Sequence, residues 1–182
     1  MTEKEQLAFY YRLLRQHGLN DSHSGNGSIR VKDNYLVTKT GACADTIQAD
    51  ELIECTLDQT PTAGASLDAS IHQRIYQQLG DRFAVLHAHN PYTIALTLKG
   101  GDFSPIDFEG QHYFSNLKVI ECDAKQYLDV MPDRIADCLA KQPVAIVRSH
   151  GVYAAAHNLD LAYKWLSSLE QSAKIKWLAQ QI

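Results

Sequence analysis

Two histidines close an apolar run of the chain. The segment AVLHAHN (84–90) carries His87 and His89, with a single alanine between them. Residues i and i+2 of a strand point to the same side, so both imidazoles are expected on one face. Paired imidazoles suit a borderline divalent metal such as zinc. A His-x-His pair is also common as a plain polar strand end, so the pair alone leaves both interpretations open.

A third histidine ends the other strongly apolar run, PVAIVRSHG (143–151), where His150 stands directly before a glycine. Sites of α/β proteins are commonly built at strand ends, so the two runs could deliver three imidazoles to one place. Three neutral imidazoles leave one position of a tetrahedral metal open, which is the catalytic rather than the structural pattern. We therefore hypothesise a catalytic metal site.

Hydrophobic periodicity and turn residues predict the elements that must position these histidines. Ser66 is a suitable N-cap for a helix whose apolar stripe is Ile71, Ile75 and Leu79. Loosely alternating helices and strands predict an α/β class, with three layers around a mixed or antiparallel sheet. Helices are predicted over residues 3–16, 66–79, 92–98, 132–141 and 160–180. Strands are predicted over residues 28–31, 35–38, 83–89, 118–121 and 144–148, with a further strand leading into Cys55.

Bulk composition excludes several function classes. The 182 residues favour one domain over residues 1–182 with a core that needs no disulfides. A net charge of −4 gives no broad basic face for nucleic acid or an anionic membrane, and no apolar stretch reaches the roughly 20 residues of a membrane span. Four scattered cysteines and an N-terminus unlike a secretory signal predict a cytoplasmic protein.

Five segments in a fixed order give the sequence a family resemblance. They are GLNDSHSGNGSIR, LVTKTG, SLDASIHQRIY, VLHAHNPYTIAL and VRSHGVYAAAHNLDLAYKWLSSLEQSAKI. In this order they resemble the class II aldolase/adducin family. That family includes fuculose-phosphate and rhamnulose-phosphate aldolases, ribulose-phosphate 4-epimerase, methylthioribulose-phosphate dehydratase and the non-enzymatic adducin head.

The resemblance implies a three-layer α/β/α fold with a central, mainly antiparallel sheet. It also implies a homotetramer with active sites at subunit clefts. The same resemblance makes His87, His89 and His150 the ligands of a divalent metal. Zinc is the expected ion on imidazole ligands, and Mn²⁺, Co²⁺ or Fe²⁺ could occupy the same triad.

A carboxylate and a histidine are spaced i, i+4 in SLDASIH, on one helix face: Asp68 and His72. The aldolases have a glutamate where Asp68 stands, and it can ligate the metal and act as general acid/base. The epimerases have aspartate there. Asp68 is therefore predicted to be a catalytic carboxylate of the metal site. The alternative is a carboxylate that only favours the helix N-terminus. His72 is expected to be a packing or surface residue.

The loops GNGS and TKTG match the phosphate-binding loops of the family, in which small residues let backbone N–H groups approach an anion. Two departures are His23, where the aldolases usually have a small hydroxyl residue, and Leu67, where they have a second serine. The ligand is accordingly a phosphate, a carboxylate or a smaller anion. The predicted anion-binding residues are Asn26, Lys39, Thr40, Gly41 and Ser66.

The run FSPIDFEGQHYF (103–114) is dense in acid/base groups. It resembles the segment in which the dehydratases carry a catalytic glutamate and the epimerases a catalytic aspartate. We predict Glu109 as a second acid/base, with His112 as the next candidate. The alternative is a surface loop whose aromatic side chains lie in the core or at a subunit interface.

Together these features predict a metal-dependent lyase for a small hydroxy-ketone, expected to be a ketose phosphate. The metal would act as a Lewis acid and stabilise the enediolate formed by retro-aldol cleavage. The partners expected are a sugar or sugar-phosphate substrate and further copies of this chain. The alternatives are an epimerase, a dehydratase supported by Glu109, or an adducin-like scaffold, against which retention of all three histidines argues.

Overall fold

The computed structural model describes all 182 residues, as six helices and seven strands. The helices are α1 (Glu3–Gln16), α2 (Ala69–Gln78), α3 (Pro91–Thr97), α4 (Phe108–Tyr113), α5 (Tyr127–Leu139) and α6 (Leu159–Ala179). The strands are β1 (Asn26–Val31), β2 (Asn34–Val37), β3 (Ile53–Thr56), β4 (Ala84–Ala88), β5 (Val119–Ile120), β6 (Val144–Val147) and β7 (Gly151–Ala156). No helix combines the length and the apolar character needed to cross a membrane.

All seven strands form one sheet in the order β3-β2-β1-β4-β7-β6-β5. Every neighbouring pair is antiparallel except β5 and β6, which are parallel. Helices α1, α3, α4 and α6 cover one face of the sheet, and α2 and α5 cover the other. The predicted three-layer α/β/α class with a mainly antiparallel sheet is confirmed.

The central strands β4 and β7 alternate their side chains between the two cores. Leu86 of β4 and Ala154 of β7 belong to the core under α1 and α6, whereas Val85 belongs to the core under α2 and α5. His87 is two residues after Val85 and therefore points to the α2/α5 face. It lies opposite Asn26 of β1 and Tyr153 of β7.

Helix α1 has the bounds that its periodicity predicts. Thr2 and Glu5 form a reciprocal capping box at its start. Its apolar stripe, which includes Leu7, Tyr11 and Leu14, is buried against the sheet. The helix is therefore fixed both by its cap and by burial of one face.

Two helix starts differ from the sequence predictions. Helix α5 begins at Tyr127 and contains Pro132, which was predicted in its first turn. Helix α2 begins at Ala69 with Asp68 as N-cap, whereas Ser66 was predicted there. The Ser66 hydroxyl instead accepts a hydrogen bond from the Asp68 N–H at 3.3 Å.

Two elements were not predicted. Strand β7 (GVYAAA) is buried on both faces, so it lacks the apolar–polar alternation that reveals a half-buried strand. Helix α4 has only six residues and is too short for a clear helical period. The Asp107 side chain caps it by accepting a hydrogen bond from Gly110 N–H at 2.8 Å.

A buried carboxylate fixes the start of α3, immediately after the His-x-His pair. Glu170 of α6 accepts hydrogen bonds from the N–H groups of Tyr92 at 2.7 Å and Thr93 at 3.1 Å. It also accepts one from the Thr93 hydroxyl at 2.8 Å. Burial raises the pKa of Glu170, and these donated hydrogen bonds oppose the rise. Glu170 thus ties the segment that follows His89 to α6.

Replacing Glu170 with alanine is expected to lower the free energy of unfolding by about 3 kcal/mol. The reason is that three buried donors lose their acceptor, and orphaned donors of this kind cost about 1–3 kcal/mol each before relaxation. Thermal unfolding should show a Tm about 6–12 °C lower for a chain of this length. Gln171→Ala, at the exposed neighbouring position, is the control. Equal Tm values for the two variants would contradict this role of Glu170.

Candidate metal centre and cavity

Three imidazole nitrogens converge at one end of the sheet. His87 Nε2 lies 3.2 Å from His89 Nε2 and 3.2 Å from His150 Nε2. One ligand atom from each ring lies within 4.8 Å of the others. Ligand nitrogens about 2.0–2.1 Å from a tetrahedral zinc ion are separated by about 3.4 Å. The donor set and its spacing therefore fit a divalent metal, and the triad could hold one.

The hydrogen bonding of His87 fixes which of its nitrogens is available. Its Nδ1 lies 3.1 Å from the carbonyl oxygen of Val152, which can only accept, so Nδ1 carries the proton. The lone pair is then on Nε2, which faces the other two rings. A backbone carbonyl that orients a histidine in this way is the usual partner of a metal ligand.

Burial keeps the three rings in the neutral form that binds metal. Burial lowers the pKa of His87 well below its ordinary value. It also lowers the pKa of His89 and of His150, although nearby Asp68 opposes both shifts. Neutral imidazoles whose lone pairs face one another repel unless a proton or a cation lies between them.

Position 151, directly after His150, has no room for a side chain. A Cβ at Gly151 would lie 2.5 Å from the carbonyl oxygen of Ala88 and 2.8 Å from Cε1 of His87. His150 sits in the tight turn between β6 and β7, where Ser149 has a positive φ of 57°. A glycine after His150 therefore lets β7 approach His87 of β4 and the adjacent His89 closely.

Asp68 lies beside the triad, with Oδ2 at 3.9 Å from His87 Nε2. That oxygen accepts hydrogen bonds from Asn26 Nδ2 at 2.7 Å and from the Tyr153 hydroxyl at 2.8 Å. Burial opposes ionisation, but nearby His87 and the two hydrogen bonds outweigh it and lower the pKa of Asp68. The side chain makes no capping bond to α2, and its hydrogen bonds go to Asn26 and Tyr153 instead.

A buried chain of polar groups continues from Asn26. His72 Nε2 lies 2.7 Å from Asn26 Oδ1, and His72 Nδ1 lies 2.6 Å from the Ser28 hydroxyl. Ser28 in turn contacts the Tyr76 hydroxyl at 2.7 Å. Burial lowers the pKa of His72 to about 4. The expectation of a packing or surface residue omitted this polar role, which the i, i+4 spacing to Asp68 could have suggested.

Two tyrosines complete the surroundings of Asp68. Tyr153 stacks on His87 with ring centroids 4.0 Å apart. The Tyr127 and Tyr153 hydroxyls lie 2.5 Å apart, and the Tyr127 ring is 4.8 Å from that of His150. Sequence reasoning missed Tyr127 because no motif surrounds it and the start of α5 was misplaced.

A cavity of about 760 Å³ opens over the triad. It is lined by the three histidines, Asp68 and all five residues that were predicted to bind an anion. The structure therefore brings these predicted residues together, although they come from distant segments. Further lining residues are His23, Leu67, Lys125, Tyr127, Leu128 and Asp129.

Some polar groups in the anion-binding set already have partners inside the chain. Lys39 Nζ pairs with Glu51 Oε1 at 2.5 Å, which offsets its charge. The Asn26 amide is used by Asp68 and His72. The hydroxyls of the loop residues and the backbone at Gly41, which has a positive φ of 64°, remain at the cavity wall.

Glu109 is not near the triad of its own chain. It is exposed on α4, which packs on α6 in the helix layer on the other face of the sheet from α2. Neither Glu109 nor His112 lines the cavity. The structure therefore leaves Asp68 as the one predicted acid/base group that a single chain brings to the metal ligands.

Comparison with known proteins identifies a family for this chain. The family model "Class II Aldolase and Adducin N-terminal domain" matches residues 5–177. Methylthioribulose-1-phosphate dehydratase of Acidiphilium cryptum is 30% identical over 163 residues, which cover 81% of this chain and 76% of the dehydratase. L-fuculose phosphate aldolase of Methanocaldococcus jannaschii is 24% identical over 179 residues, which cover 97% and 96% of the two chains.

The fold is also that of a solved relative. The crystal structure of l-fuculose-1-phosphate aldolase from Thermus thermophilus matches with a TM-score of 0.92 and 26% identity. The match covers 100% of this chain and 96% of that aldolase. The protein is an enzyme of the class II aldolase type, for which a lyase-type function is supported. The chain belongs to the class II aldolase and adducin family.

Proposed function

We propose that the protein is a metal-dependent lyase that cleaves a carbon–carbon bond of a small hydroxy-ketone, a ketose phosphate. One observation carries the proposal: three imidazole nitrogens, all within 4.8 Å of one another, lie beside a carboxylate in a cavity that is also lined by the predicted anion-binding residues. Relatives named as fuculose-phosphate aldolases support the substrate class.

His87, His89 and His150 are the proposed ligands of the metal, with zinc as the proposed ion. Three neutral nitrogens supply three positions of a tetrahedral site and leave the fourth for substrate. A divalent metal held there would polarise a substrate carbonyl as a Lewis acid. The chain itself supplies the geometry, since Val152 orients His87 and Gly151 allows the close approach.

Asp68 is the proposed general base, which accepts the proton of a substrate hydroxyl and later returns a proton to carbon. Its ionised state and its place beside the ligands suit this role. Ser66, Thr40 and Gly41 would hold the phosphate at the cavity wall, and Lys39, whose charge Glu51 offsets, would contribute N–H donors.

We further propose that residues 1–182 form one domain and that four copies of the chain assemble into a homotetramer. We propose that this homotetramer acts in the cytoplasm. Large apolar side chains lie exposed, among them Phe108 (84%) and Leu67 (74%), and an interface between copies would cover them. All four cysteines are free thiols, as suits a reducing compartment.

A dehydratase acting on a related sugar phosphate is the second candidate. The 30% identity to a methylthioribulose-1-phosphate dehydratase favours it, and so does Glu109, the proposed second acid/base. Because Glu109 lies across the sheet from its own triad, it would reach a metal site only from a second copy of the chain. The two reactions differ in product, since one releases an aldehyde and the other releases water.

The metal proposal is tested by elemental analysis of the purified protein. We expect about one divalent metal ion per chain in the wild type and in His112→Ala, which changes an exposed histidine of α4. We expect His89→Ala to lose the metal, because only two imidazoles remain. A wild-type protein without metal that also fails to bind added zinc would refute the proposal.

Gly151→Ala should weaken metal binding without removing a ligand. The added methyl group would lie less than 3 Å from Ala88 and His87, so the ring of His87 must move away from its position beside the other two rings. We expect the zinc dissociation constant, measured by competition with a chelating dye, to rise by on the order of 10- to 100-fold. Gly80→Ala, whose methyl group would enter open space, is the control, and it should bind zinc like the wild type.

Asp68→Asn should lower kcat by on the order of 10²- to 10⁴-fold, because the amide cannot accept the substrate proton. The probes are L-fuculose 1-phosphate, followed by aldehyde release, and methylthioribulose 1-phosphate, followed by loss of water. Asp58→Asn, in an exposed loop, is the charge control. Turnover of the second probe alone would show that the dehydratase proposal, not the aldolase proposal, is correct. Unchanged activity of Asp68→Asn would show that Asp68 is not the general base.

A further inference from the structure

Two series of hydrogen bonds meet at one oxygen atom, Oδ2 of Asp68. One arrives through Asn26, whose amide is held by His72. The other arrives through Tyr153, whose hydroxyl is held by that of Tyr127. Both series reach Oδ2 and neither reaches Oδ1, and Asp68 lines the cavity. The carboxylate is thus anchored through one oxygen, while the other stays free for substrate.

The chemistry of the groups gives the first series a single direction. An ionised carboxylate only accepts, so Asn26 must present its Nδ2 to Asp68 and its Oδ1 to His72. His72 must then donate from Nε2, and its unprotonated Nδ1 must accept from the Ser28 hydroxyl. Ser28 completes the series by accepting from the Tyr76 hydroxyl. A rotated Asn26 amide would set its oxygen against the carboxylate.

We infer that His72 is a positioning residue for Asp68: it locks the Asn26 amide in the one orientation that donates to Oδ2, and so aims Oδ1 into the cavity. This inference rests on the proposed function of Asp68. His72 is wholly buried (0% exposed) and cannot touch substrate, so any effect it has on turnover must pass through its neighbours. Asn26 is the neighbour that both hydrogen-bonds His72 and donates to Asp68.

Simple packing accounts poorly for a histidine at this position. A buried polar ring costs free energy unless both nitrogens are paired, and an apolar ring of similar size would fill the space without that requirement. His72 meets the requirement with two short hydrogen bonds, one of which leads directly to Asp68. Tyr127 ends the other series but lines the cavity, so its substitution would not separate positioning from substrate contact.

The first test needs no substrate. In zinc-loaded protein labelled with ¹⁵N-histidine, a long-range ¹H–¹⁵N spectrum reports which nitrogen of each ring carries the proton. We expect His72 as the neutral Nε2–H form at pH 7, with a His72→Gln spectrum assigning the signal by its absence. A His72 ring protonated at Nδ1 alone would reverse the series and overturn the inference.

The second test is kinetic and compares His72→Phe with His72→Gln. Glutamine keeps an amide N–H at about the place of Nε2, whereas phenylalanine removes the donor and retains a ring. We expect His72→Phe to lower kcat by on the order of 10- to 100-fold with KM and zinc content unchanged. We expect His72→Gln to recover most of that loss. A purely structural role would lower Tm in both variants and leave the kcat of the folded protein unaltered, which would overturn the inference.

Failure of the proposed function is distinguishable from failure of this inference. A wild-type protein that turns over neither L-fuculose 1-phosphate nor methylthioribulose 1-phosphate would contradict the proposed function. The tautomer of His72 would still decide whether its N–H is aimed at Asn26, because that measurement depends only on the folded, metal-loaded chain.

Discussion

The register of β4 between β1 and β7 is the constraint on which the site depends. Residues directly opposite in antiparallel strands share a face, and this register places Asn26, His87 and Tyr153 in one row. A shift of β4 by one residue would turn His87 into the core under α1 and α6, away from Asp68. The two cores on either face of the sheet hold the register, so the packing of the sheet also determines where the proposed metal ligands lie.

Bringing three histidine nitrogens and a carboxylate together in a buried site costs electrostatic free energy, which a bound cation would offset. Three neutral nitrogens face one another, and an ionised carboxylate lies 3.9 Å from one of them in a largely buried site. Without a cation, each of these groups loses hydration and gains little in return. The Asn26 and Tyr153 donors stabilise Asp68 partly, and the proposed divalent metal would complete the balance, because its charge offsets the carboxylate and its bonds use the lone pairs.

The parts of the site that follow from local spacing could be predicted from the sequence, and the parts that follow from register could not. His87 and His89 share a face because a strand has period two, and the 3.6-residue period gave the bounds of α1. The positions of Asn26 and His72 depend on how β1 packs against β4 and α2. Local spacing in the sequence does not predict such long-range packing. Strand β7 was missed because burial on both faces removes alternation. The start of α5 was misplaced because a proline usually marks the first turn of a helix, whereas α5 begins at Tyr127 and continues through Pro132.

The choice of reaction depends on groups other than the three histidines. In the proposed mechanism the triad determines where a substrate carbonyl must bind, and this role is common to aldol cleavage and to dehydration. Within one chain, Asp68 is the only proposed proton acceptor there, and the neighbouring hydroxyls of Tyr153 and Tyr127 donate toward it or toward each other. Any second acid/base must come from a group that the sheet does not separate from the triad. Because the sheet separates Glu109 from the triad of its own chain, Glu109 can take part only where another copy of the chain brings its α4 to the cavity. Which reaction the protein catalyses therefore depends on how its copies assemble.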